Sequence, residues 1–263
     1  MSDLIIEDFK DSILKITLNN PSQQNTLSYQ FINDLKKIFE NADNNDEVKV
    51  IILSSSGKVF SAGHNLKEIK SHREDKDKGL HFFTTLINSC SDLMLKIINN
   101  SKPVIAEVKG IATAAGCQLV ASCDLAYASE GSKFATPGVN IGLFCSTPMV
   151  AVSRNISNKH CMEMLLGGDL ISADKAEKIG LINKSMNESI LKEQTLNIAQ
   201  KISKKSALTL KIGKEAFYKQ INMNLSDAYD YASNVMVENM LKLDAEEGID
   251  AFINKRKPNW QDK

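Results

Sequence analysis

The sequence predicts an α/β fold with a helical C-terminal segment. A strand–turn–helix unit recurs through about the first 180 residues, and short β-branched runs such as Val48–Leu53 precede its turns. From about Ile190 onward the apolar residues have a helical period and there are few breakers. We therefore predict a core over residues 1–200 and a helical segment over residues 201–263. That segment is short for a core of its own, so we expect it to pack on the first part or on another subunit.

The N-terminal elements follow from local patterns. Two strands are predicted at Leu4–Ile6 and Ile13–Leu18, with a turn at residues 10–12. Ser28 can cap a helix whose apolar residues recur at three- and four-residue steps, namely Phe31, Ile32, Leu35, Ile38, Phe39 and Ala42. A long helix is predicted from about Leu80 to Ile98, with most of its apolar residues on one side. Further strands are predicted at Val48–Leu53, Pro103–Val108, Leu125–Ala128 and Lys133–Ala135.

The second half of the chain is predicted to be mostly helical. Gly180 is placed to end one helix before a short strand at residues 181–182. In the tail, Ser226 is a candidate N-cap, and Asp244 is another, with Glu247 three residues on as in a capping box.

Composition and charge exclude several classes of protein. Lys and Arg total 32 and Asp and Glu total 32, so we expect neither nucleic acid nor a membrane as partner. No apolar run approaches the roughly 20 residues of a membrane span. The five cysteines are odd in number and lack metal-type spacing, so reduced thiols and no metal site are expected. Reduced thiols, together with residues after Met1 that show no export or transit pattern, predict a cytoplasmic location.

Two stretches narrow to small residues between a β-type run and a helix. They are Val59–Lys67 and Gly110–Gln118. Small residues at a turn leave backbone N–H groups open to a ligand, because no bulky side chain blocks the approach. Two such N–H groups aimed at one oxygen make an oxyanion hole. This pair of turns is the candidate site.

These residues resemble the enoyl-CoA hydratase/isomerase (crotonase) family, and the likeness covers essentially the whole chain. A single glycine-rich turn would be a weak signal, whereas an ordered series of motifs is specific. The series comprises Asn19–Pro21, Asn25–Leu27, Phe60–Lys67, Lys102–Ala106, Gly110, Ala114–Cys117, Cys123-Asp124, Ile171–Ala173, Gly180-Leu181 and Ala251–Pro258. Two longer segments, Ala114–Asp124 and Phe134–Pro148, resemble one branch of the family in particular.

The resemblance implies a crotonase-type spiral of strand–strand–helix turns that assembles as a homotrimer or hexamer. It implies an acyl-CoA thioester as substrate, with coenzyme A as part of the substrate and no separate cofactor. It also implies lyase or isomerase chemistry in fatty acid metabolism, with the tail serving CoA closure and oligomerisation. By correspondence with the family's motifs, the resemblance implies that the backbone N–H groups of His64 and Ala115 form the oxyanion hole. The residues implied along the CoA path are Ala62, His64, Asn65, Leu66, Lys67 and Gly116, with Phe252 and Lys255 reaching CoA from the tail of a neighbouring subunit.

The chain departs from the family where hydratases carry two catalytic glutamates. Gln118 and Gly138 occupy these places. A neutral amide has no titrating proton to give, and glycine has no side chain. Losing one general acid or base typically costs about 10² to 10⁴ in rate, so efficient hydration is not expected.

The other candidates for chemistry stay open at this stage. His64 stands where family members mostly carry a small residue, and the family's methylmalonyl-CoA decarboxylase has a similar segment. Its imidazole either lies along the CoA path or takes part in the reaction. Asn140 either binds a substrate carboxylate or water, or bonds its own loop. Asp124 is expected to have a structural role, and Cys145 lacks a nearby base to activate it.

Three functions remain compatible with these residues. The first is an enzyme that stabilises the enolate of an acyl-CoA thioester. The second is a non-catalytic acyl-CoA binder that kept the pocket and lost the acid–base pair. The third is a decarboxylase of a malonyl-type CoA ester, which needs an enolate stabiliser and a carboxylate binder but no paired glutamates.

Overall fold

The computed structural model describes residues 4–263. The strands are β1 Ile5–Lys10, β2 Ile13–Leu18, β3 Val50–Ser55, β4 Val59–Ser61, β5 Val104–Val108, β6 Ile111–Thr113, β7 Leu125–Ser129, β8 Lys133–Ala135, β9 Ile171–Ser172 and β10 Lys184–Met186. The helices are α1 Tyr29–Asp43, α2 Leu66–His72, α3 Leu80–Ile98, α4 Ala115–Ser122, α5 Ser146–Val152, α6 Asn158–Gly167, α7 Ala173–Lys178, α8 Glu188–Ser203, α9 Ala207–Gln220, α10 Leu225–Met240 and α11 Leu243–Ile253. Short 3₁₀ turns lie at Pro21–Gln23 and Pro137–Ile141.

The strands form two sheets that the chain visits in turn. The larger sheet has the order β1-β2-β3-β5-β7-β10 and the smaller has the order β4-β6-β8-β9. The pairs β3–β4, β5–β6 and β7–β8 each place one strand in each sheet, and a helix follows each pair. Within these repeats the neighbouring strands are parallel. The predicted spiral of strand–strand–helix turns is therefore confirmed, and it brings the ends of β4 and β6 side by side.

The main core lies between the sheets and helices α1, α3 and α4. All six apolar residues predicted on the first helix are buried, and the Ser28 hydroxyl accepts the Phe31 N–H at 3.3 Å, as a cap should. Helix α3 has the predicted bounds. Leu95 departs from the predicted apolar side of this helix, since its side chain is 54% exposed.

Two strand predictions need correction. The strand predicted at Leu4–Ile6 extends to Lys10, because a two-residue turn at Asp11 and Ser12, both at positive φ, lets β1 pair with the whole of β2. The strand predicted directly after Gly180 lies at Lys184–Met186 instead, where it pairs with β7.

Two predicted tail caps are also wrong. Asn224, rather than Ser226, caps α10, because its side-chain oxygen accepts a backbone N–H of the first turn. Asp244 is nearly fully buried inside the first turn of α11. Its carboxylate accepts the N–H groups of Gln261 and Asp262 at 2.7 and 3.0 Å. Asp244 therefore binds the C-terminal end of the chain to the tail helices.

Helix α8 packs on the other face of the larger sheet. A small second cluster forms there from Ile13, Val50, Ile52, Ile105 and Ala199. The predicted boundary at residue 200 falls within this helix, and α9 and α10 beyond it contain no buried residue. The division into a core and a helical segment stays a prediction. In residues 4–263, no helix combines the length and the apolar character that crossing a bilayer requires.

Candidate functional site

Asn25 organises the first of the two turns. It is fully buried at φ +50°, and its side-chain Nδ2 donates to the carbonyl oxygens of Ser56 and Val59 at 3.0 and 2.7 Å. The Ser61 hydroxyl donates to the Asn25 carbonyl at 2.8 Å and accepts the Gly63 N–H at 3.3 Å. These bonds hold the backbone that leads into the turn and give a physical reason for the asparagine in the Asn25–Leu27 motif.

The two turns lie directly against each other. A Cβ atom at Gly63 would lie 2.9 Å from the Ala114 Cβ and 3.2 Å from the Ala115 nitrogen, and Gly63 has φ +85°. A Cβ atom at Gly116 would overlap the Ser61 carbonyl oxygen. Only glycine fits at these two positions. The predicted pairing of the turns is therefore present in the structure.

The N–H groups of His64 and Ala115 flank this contact. Neither donates a hydrogen bond to any acceptor in residues 4–263. Ala115 is the first residue of α4, where N–H groups have no partner within the helix and the helix dipole favours an anion. The Ala114 N–H, by contrast, donates to the Ala135 carbonyl at 3.0 Å. Two unpaired donors on adjoining turns can stabilise a negatively charged oxygen placed between them.

The His64 imidazole is held in one orientation. Its Nδ1 lies 3.3 Å from the Leu27 carbonyl oxygen, and its Nε2 is buried with no partner in residues 4–263. Burial lowers the pKa of His64, against a smaller opposing effect of the bond to Leu27. The ring is therefore neutral, with the proton on Nδ1 and a free lone pair on Nε2.

Gln118 lies one helical turn beyond Ala115. Its side chain is almost wholly buried, and its Oε1 has no hydrogen-bond partner among the described residues. It borders a cavity of about 760 Å³ between α3, α4, α5 and α9. The site thus contains a buried amide oxygen that the described residues leave without a donor.

Gly138 lies in the 3₁₀ turn that follows β8. Its N–H donates to the Cys145 sulfur at 3.3 Å. A Cβ atom here would lie 2.9 Å from the Leu143 carbonyl oxygen and 3.0 Å from the Cys145 sulfur. The space where a second catalytic side chain would begin is therefore already filled.

Asn140 lies on the outer side of the same turn. Its side chain is exposed, and its Nδ2 lies 3.4 Å from the Gly168 carbonyl oxygen. Thr136, which the sequence did not single out, is fully buried just before Pro137, and its hydroxyl has no hydrogen-bond partner in the described part of the chain. A polar residue directly before a Pro-Gly turn was the sequence signal for it. Burial raises the pKa of the Cys117 thiol to about 12, and it also raises the pKa of Cys145. Both side chains therefore stay protonated thiols.

Five of the residues expected along the CoA path lie in the segment 62–67, which leads from the first turn into α2, while Gly116 is buried in α4. The Ala62 N–H donates to the Gln24 carbonyl at 3.1 Å, and the Asn65 side chain caps α2 by accepting from Lys67 and Glu68. Leu66 is 53% exposed, and Lys67 is exposed beside it. Asn65 thus has a structural role in addition to any contact with a ligand.

The two expected tail contacts lie at the end of α11. The Phe252 ring is 86% exposed, and Lys255 is exposed at φ +52°. Arg256 beside them is paired with Glu247 and Asp250. The phenylalanine and the lysine are therefore both available to a ligand or another subunit.

A buried polar cluster, missed from the sequence, closes the far end of the cavity. The Asp124 carboxylate accepts the Val104 N–H at 2.7 Å, the Lys214 ammonium at 2.7 Å and the Tyr218 hydroxyl at 2.9 Å. Burial and the neighbouring carboxylate raise the pKa of Tyr218, so it stays a hydrogen-bond donor. The structural role expected for Asp124 fits these contacts: it joins α9 to the core.

Comparison with known proteins identifies the family. The family model described as Enoyl-CoA hydratase/isomerase matches residues 8–263. The chain belongs to this family.

Individual relatives support the same branch. The chain is 46% identical over 251 residues to the rat protein named enoyl-CoA hydratase domain-containing protein 3, mitochondrial, covering 95% of this chain and 82% of the relative. It is 30% identical to the enoyl-CoA hydratase, mitochondrial, of Pongo abelii, over 94% of this chain and 83% of that protein. The crystal structure of human enoyl-CoA hydratase domain-containing protein 3 superposes with a TM-score of 0.93 at 45% identity, over 98% of this chain and 100% of the other. The resemblance carried by Ala114–Asp124 and Phe134–Pro148 is therefore confirmed.

The relatives contradict the predicted cytoplasmic location. The rat, mouse and human relatives are all named as mitochondrial proteins. The prediction was wrong because unpaired cysteines distinguish a reducing compartment from an oxidising one and cannot separate one reducing compartment from another.

Proposed function

We propose that this protein binds an acyl-CoA thioester and stabilises its enolate between the N–H groups of His64 and Ala115. The observation that carries the proposal is the pair of unpaired N–H groups on two adjoining glycine turns. Each such donor is typically worth about 3–4 kcal/mol to a developing oxyanion. Coenzyme A enters as part of the substrate and would lie along the edge formed by residues 62–67.

Ordinary hydration is not part of this proposal. Gln118 cannot transfer a proton, and Gly138 sits where Leu143 and Cys145 leave no room for a side chain. These two features support either enolate chemistry of a lyase or isomerase type without the glutamate pair, or binding without turnover.

Decarboxylation of a malonyl-type CoA ester is the second candidate. Breaking the bond to the carboxylate releases CO₂ and leaves the enolate, so the step needs the oxyanion hole but no general base at Gln118 or Gly138. Because neither Gln118 nor Gly138 can transfer a proton, this candidate fits these two residues better than hydration does.

We further propose that the tail helices complete the site in a homotrimer or hexamer. The exposed Phe252 and Lys255 would reach CoA bound to a neighbouring subunit. The names of the relatives favour a mitochondrial place of action. The link to fatty acid metabolism rests on the family resemblance alone.

The carbonyl-polarising role can be tested with 3-(2-furyl)acryloyl-CoA. Hydrogen bonds to its thioester carbonyl move the absorption of this chromophore to longer wavelength, so we expect a red shift on binding. Ala115→Pro replaces one donor N–H by a ring carbon that enters the carbonyl site, so the red shift should be lost. Binding of free CoA, followed by thermal shift, should be unchanged in this variant. A wild-type protein that binds the chromophore without a red shift would contradict the oxyanion hole.

Turnover is tested separately with crotonyl-CoA and methylmalonyl-CoA. We expect no crotonyl-CoA hydration at ordinary hydratase rates, and CO₂ release from methylmalonyl-CoA would favour the second candidate. If no CoA ester changes the melting temperature, the ligand assignment as a whole is wrong.

A further inference from the structure

We propose that residues 256–262 form a strap that positions Phe252 and Lys255 for contact with coenzyme A, with Arg256 as its main positioning residue. This inference rests on the proposed function, in which these two side chains reach CoA. The chain leaves α11 at Ile253 and reverses its direction at Lys255, which has a left-handed φ of +52°. Phe252 and Lys255 therefore lie at the tip of a hairpin whose two arms are α11 and the strap.

The Arg256 guanidinium clamps the strap to α11 beside this tip. Its two terminal nitrogens donate to the two carboxylate oxygens of Glu247 at 2.6 and 2.7 Å, and one of them also donates to Asp250 at 2.5 Å. The Arg256 backbone N–H donates to the Ala251 carbonyl oxygen at 3.0 Å. Single exposed ion pairs contribute little, but a bidentate arginine–carboxylate pair within a network fixes direction as well as distance. Arg256 therefore holds the backbone directly after Lys255 in one place.

The rest of the strap runs back along α11. The Asn259 N–H donates to the same Glu247 carboxylate at 2.6 Å. The Trp260 ring packs over Gly248, where a Cβ atom would lie 3.1 Å from the ring. The next two backbone N–H groups donate to the Asp244 carboxylate at 2.7 and 3.0 Å. The strap thus contacts α11 from its last turn to its first.

The far end of the strap is attached to the core of the same chain. The Trp260 indole N–H donates to the Lys204 carbonyl oxygen, at the end of α8, at 2.9 Å. The Asp262 carboxylate accepts the Ala207 N–H at 2.7 Å and the Lys49 ammonium at 3.0 Å, and Lys49 directly precedes β3. Helix α11 itself has only two buried residues. The strap therefore supplies much of the attachment that keeps the tip in one position.

The first test removes the clamp and leaves the tip side chains in place. Arg256→Met keeps the apolar stem and removes the guanidinium, so hydrogen exchange should rise at the amides of residues 249–255 but not in β5. Calorimetry should show CoA binding about ten-fold weaker, because the tip is no longer held in position. Arg256→Lys keeps the charge without the bidentate geometry and should give intermediate values. Lys257→Met is the matched control, since it removes the same charge from an exposed side chain without a bond in residues 4–263, and it should change neither measurement.

The second test asks whether Arg256 acts through the tip. In a variant that carries Phe252→Ala and Lys255→Met, CoA binding should already be weaker, and Arg256→Met should weaken it no further. A merely structural role would lower the affinity equally in both backgrounds and would overturn the inference. Unchanged exchange or unchanged affinity in Arg256→Met would overturn it as well.

A failure of the proposed function gives a different result. If the wild-type protein binds neither CoA nor a CoA ester, the ligand assignment is wrong, whatever the exchange data show. If the wild-type protein binds CoA and the tip variant binds it equally tightly, the tail contact is wrong and this inference falls with it, while the oxyanion hole stands.

Discussion

Ala114 holds a backbone conformation that residues with a side chain rarely adopt. Its φ of 51° and ψ of −120° lie outside the favoured regions, and it immediately precedes the free N–H of Ala115. We infer that the strain is retained because it directs this N–H at the contact between the two turns.

Ala114→Gly should relieve this strain. We expect the free energy of unfolding to rise by about 1 kcal/mol, the strain released less the entropy that glycine adds to the unfolded chain. Denaturant titration measures the change. Ala121→Gly, in the same helix at ordinary helical φ and ψ, is the control and should lower stability by about 1 kcal/mol or more. Equal losses in both variants would show that Ala114 is not strained.

His64 should make stability depend on pH. Because burial lowers its pKa in the folded protein, the unfolded chain takes up a proton first as the pH falls below the usual value of about 6.5. The contribution of His64 is therefore complete above that pH and is lost as the pH falls toward the depressed folded pKa, by up to about 1.4 kcal/mol per pH unit. His64→Gln should flatten this slope between pH 7 and 5, whereas the same change at the exposed His81 should not.

Gly138 explains why two glutamates would not restore a hydratase here. Gly138→Glu places a Cβ atom against the Leu143 backbone, so we expect a loss of about 2–3 kcal/mol of stability. Gly131→Glu is the control, because nothing lies within 4 Å of its Cβ position, and it should change stability by less than about 0.5 kcal/mol. Thermal and denaturant unfolding would show the difference. A stable Gly138→Glu protein would mean that the Leu143–Cys145 segment moves aside readily.

Helix α9 depends on one buried ammonium for its place on the core. Lys214 donates to the carbonyl oxygens of Ile97 and Lys102 at 3.1 and 3.0 Å and to Asp124, and its side chain is only 8% exposed. The helix has no buried apolar residue of its own, so apolar packing alone does not secure it. Helix α9, held in this way, also forms one wall of the cavity beside Gln118.

Lys214→Met should therefore loosen α9. We expect a loss of about 3 kcal/mol, because the partly buried Asp124 carboxylate would keep no cationic partner. Hydrogen exchange should rise first in the amides of α9, ahead of those in β5. Lys211→Met on the exposed side of the same helix is the control and should leave both measurements nearly unchanged. Uniform exchange across the molecule would contradict a local attachment.

The tail helices present an apolar surface that one chain does not cover. Leu225, Leu241 and Phe252 are 75%, 81% and 86% exposed. Large apolar side chains left exposed on these helices favour an interface with another subunit, which supports the proposed homotrimer.

Leu241→Glu should weaken that assembly. A carboxylate buried between subunits has no partner, so we expect the sedimentation coefficient to fall toward that of a single chain. Leu166→Glu on α6, a site also well exposed in the chain but outside the tail, serves as the control and should leave the assembly intact. A wild-type protein that sediments as a monomer at micromolar concentration would contradict the proposed assembly.

Much of the fold was predictable because its signals are local. The apolar period of α1 and α3, the Ser28 cap and the small-residue turns each depend on residues within a few positions of one another, and all were placed correctly. The two predictions of tail caps were wrong for different reasons. Asn224, close to Ser226 in the chain, caps α10 instead. The Asp244 carboxylate binds backbone N–H groups 17 and 18 residues away, which no local pattern indicates.

The state of the site depends on contacts between distant residues. Packing decides which N–H groups stay free, whether a side chain fits at Gly138 and what Asp124 binds. The bond from Lys214 to a carbonyl oxygen 112 residues earlier in the chain is an example of such a distant contact. The residue pattern predicted the α/β class and the two small-residue turns, since neighbours in the chain carry that information, and the family resemblance implied the spiral and the role of positions 118 and 138. The unpartnered Gln118 side-chain oxygen and the filled space at Gly138 are seen only in the folded chain, because burial and hydrogen-bond partners are properties of three-dimensional packing.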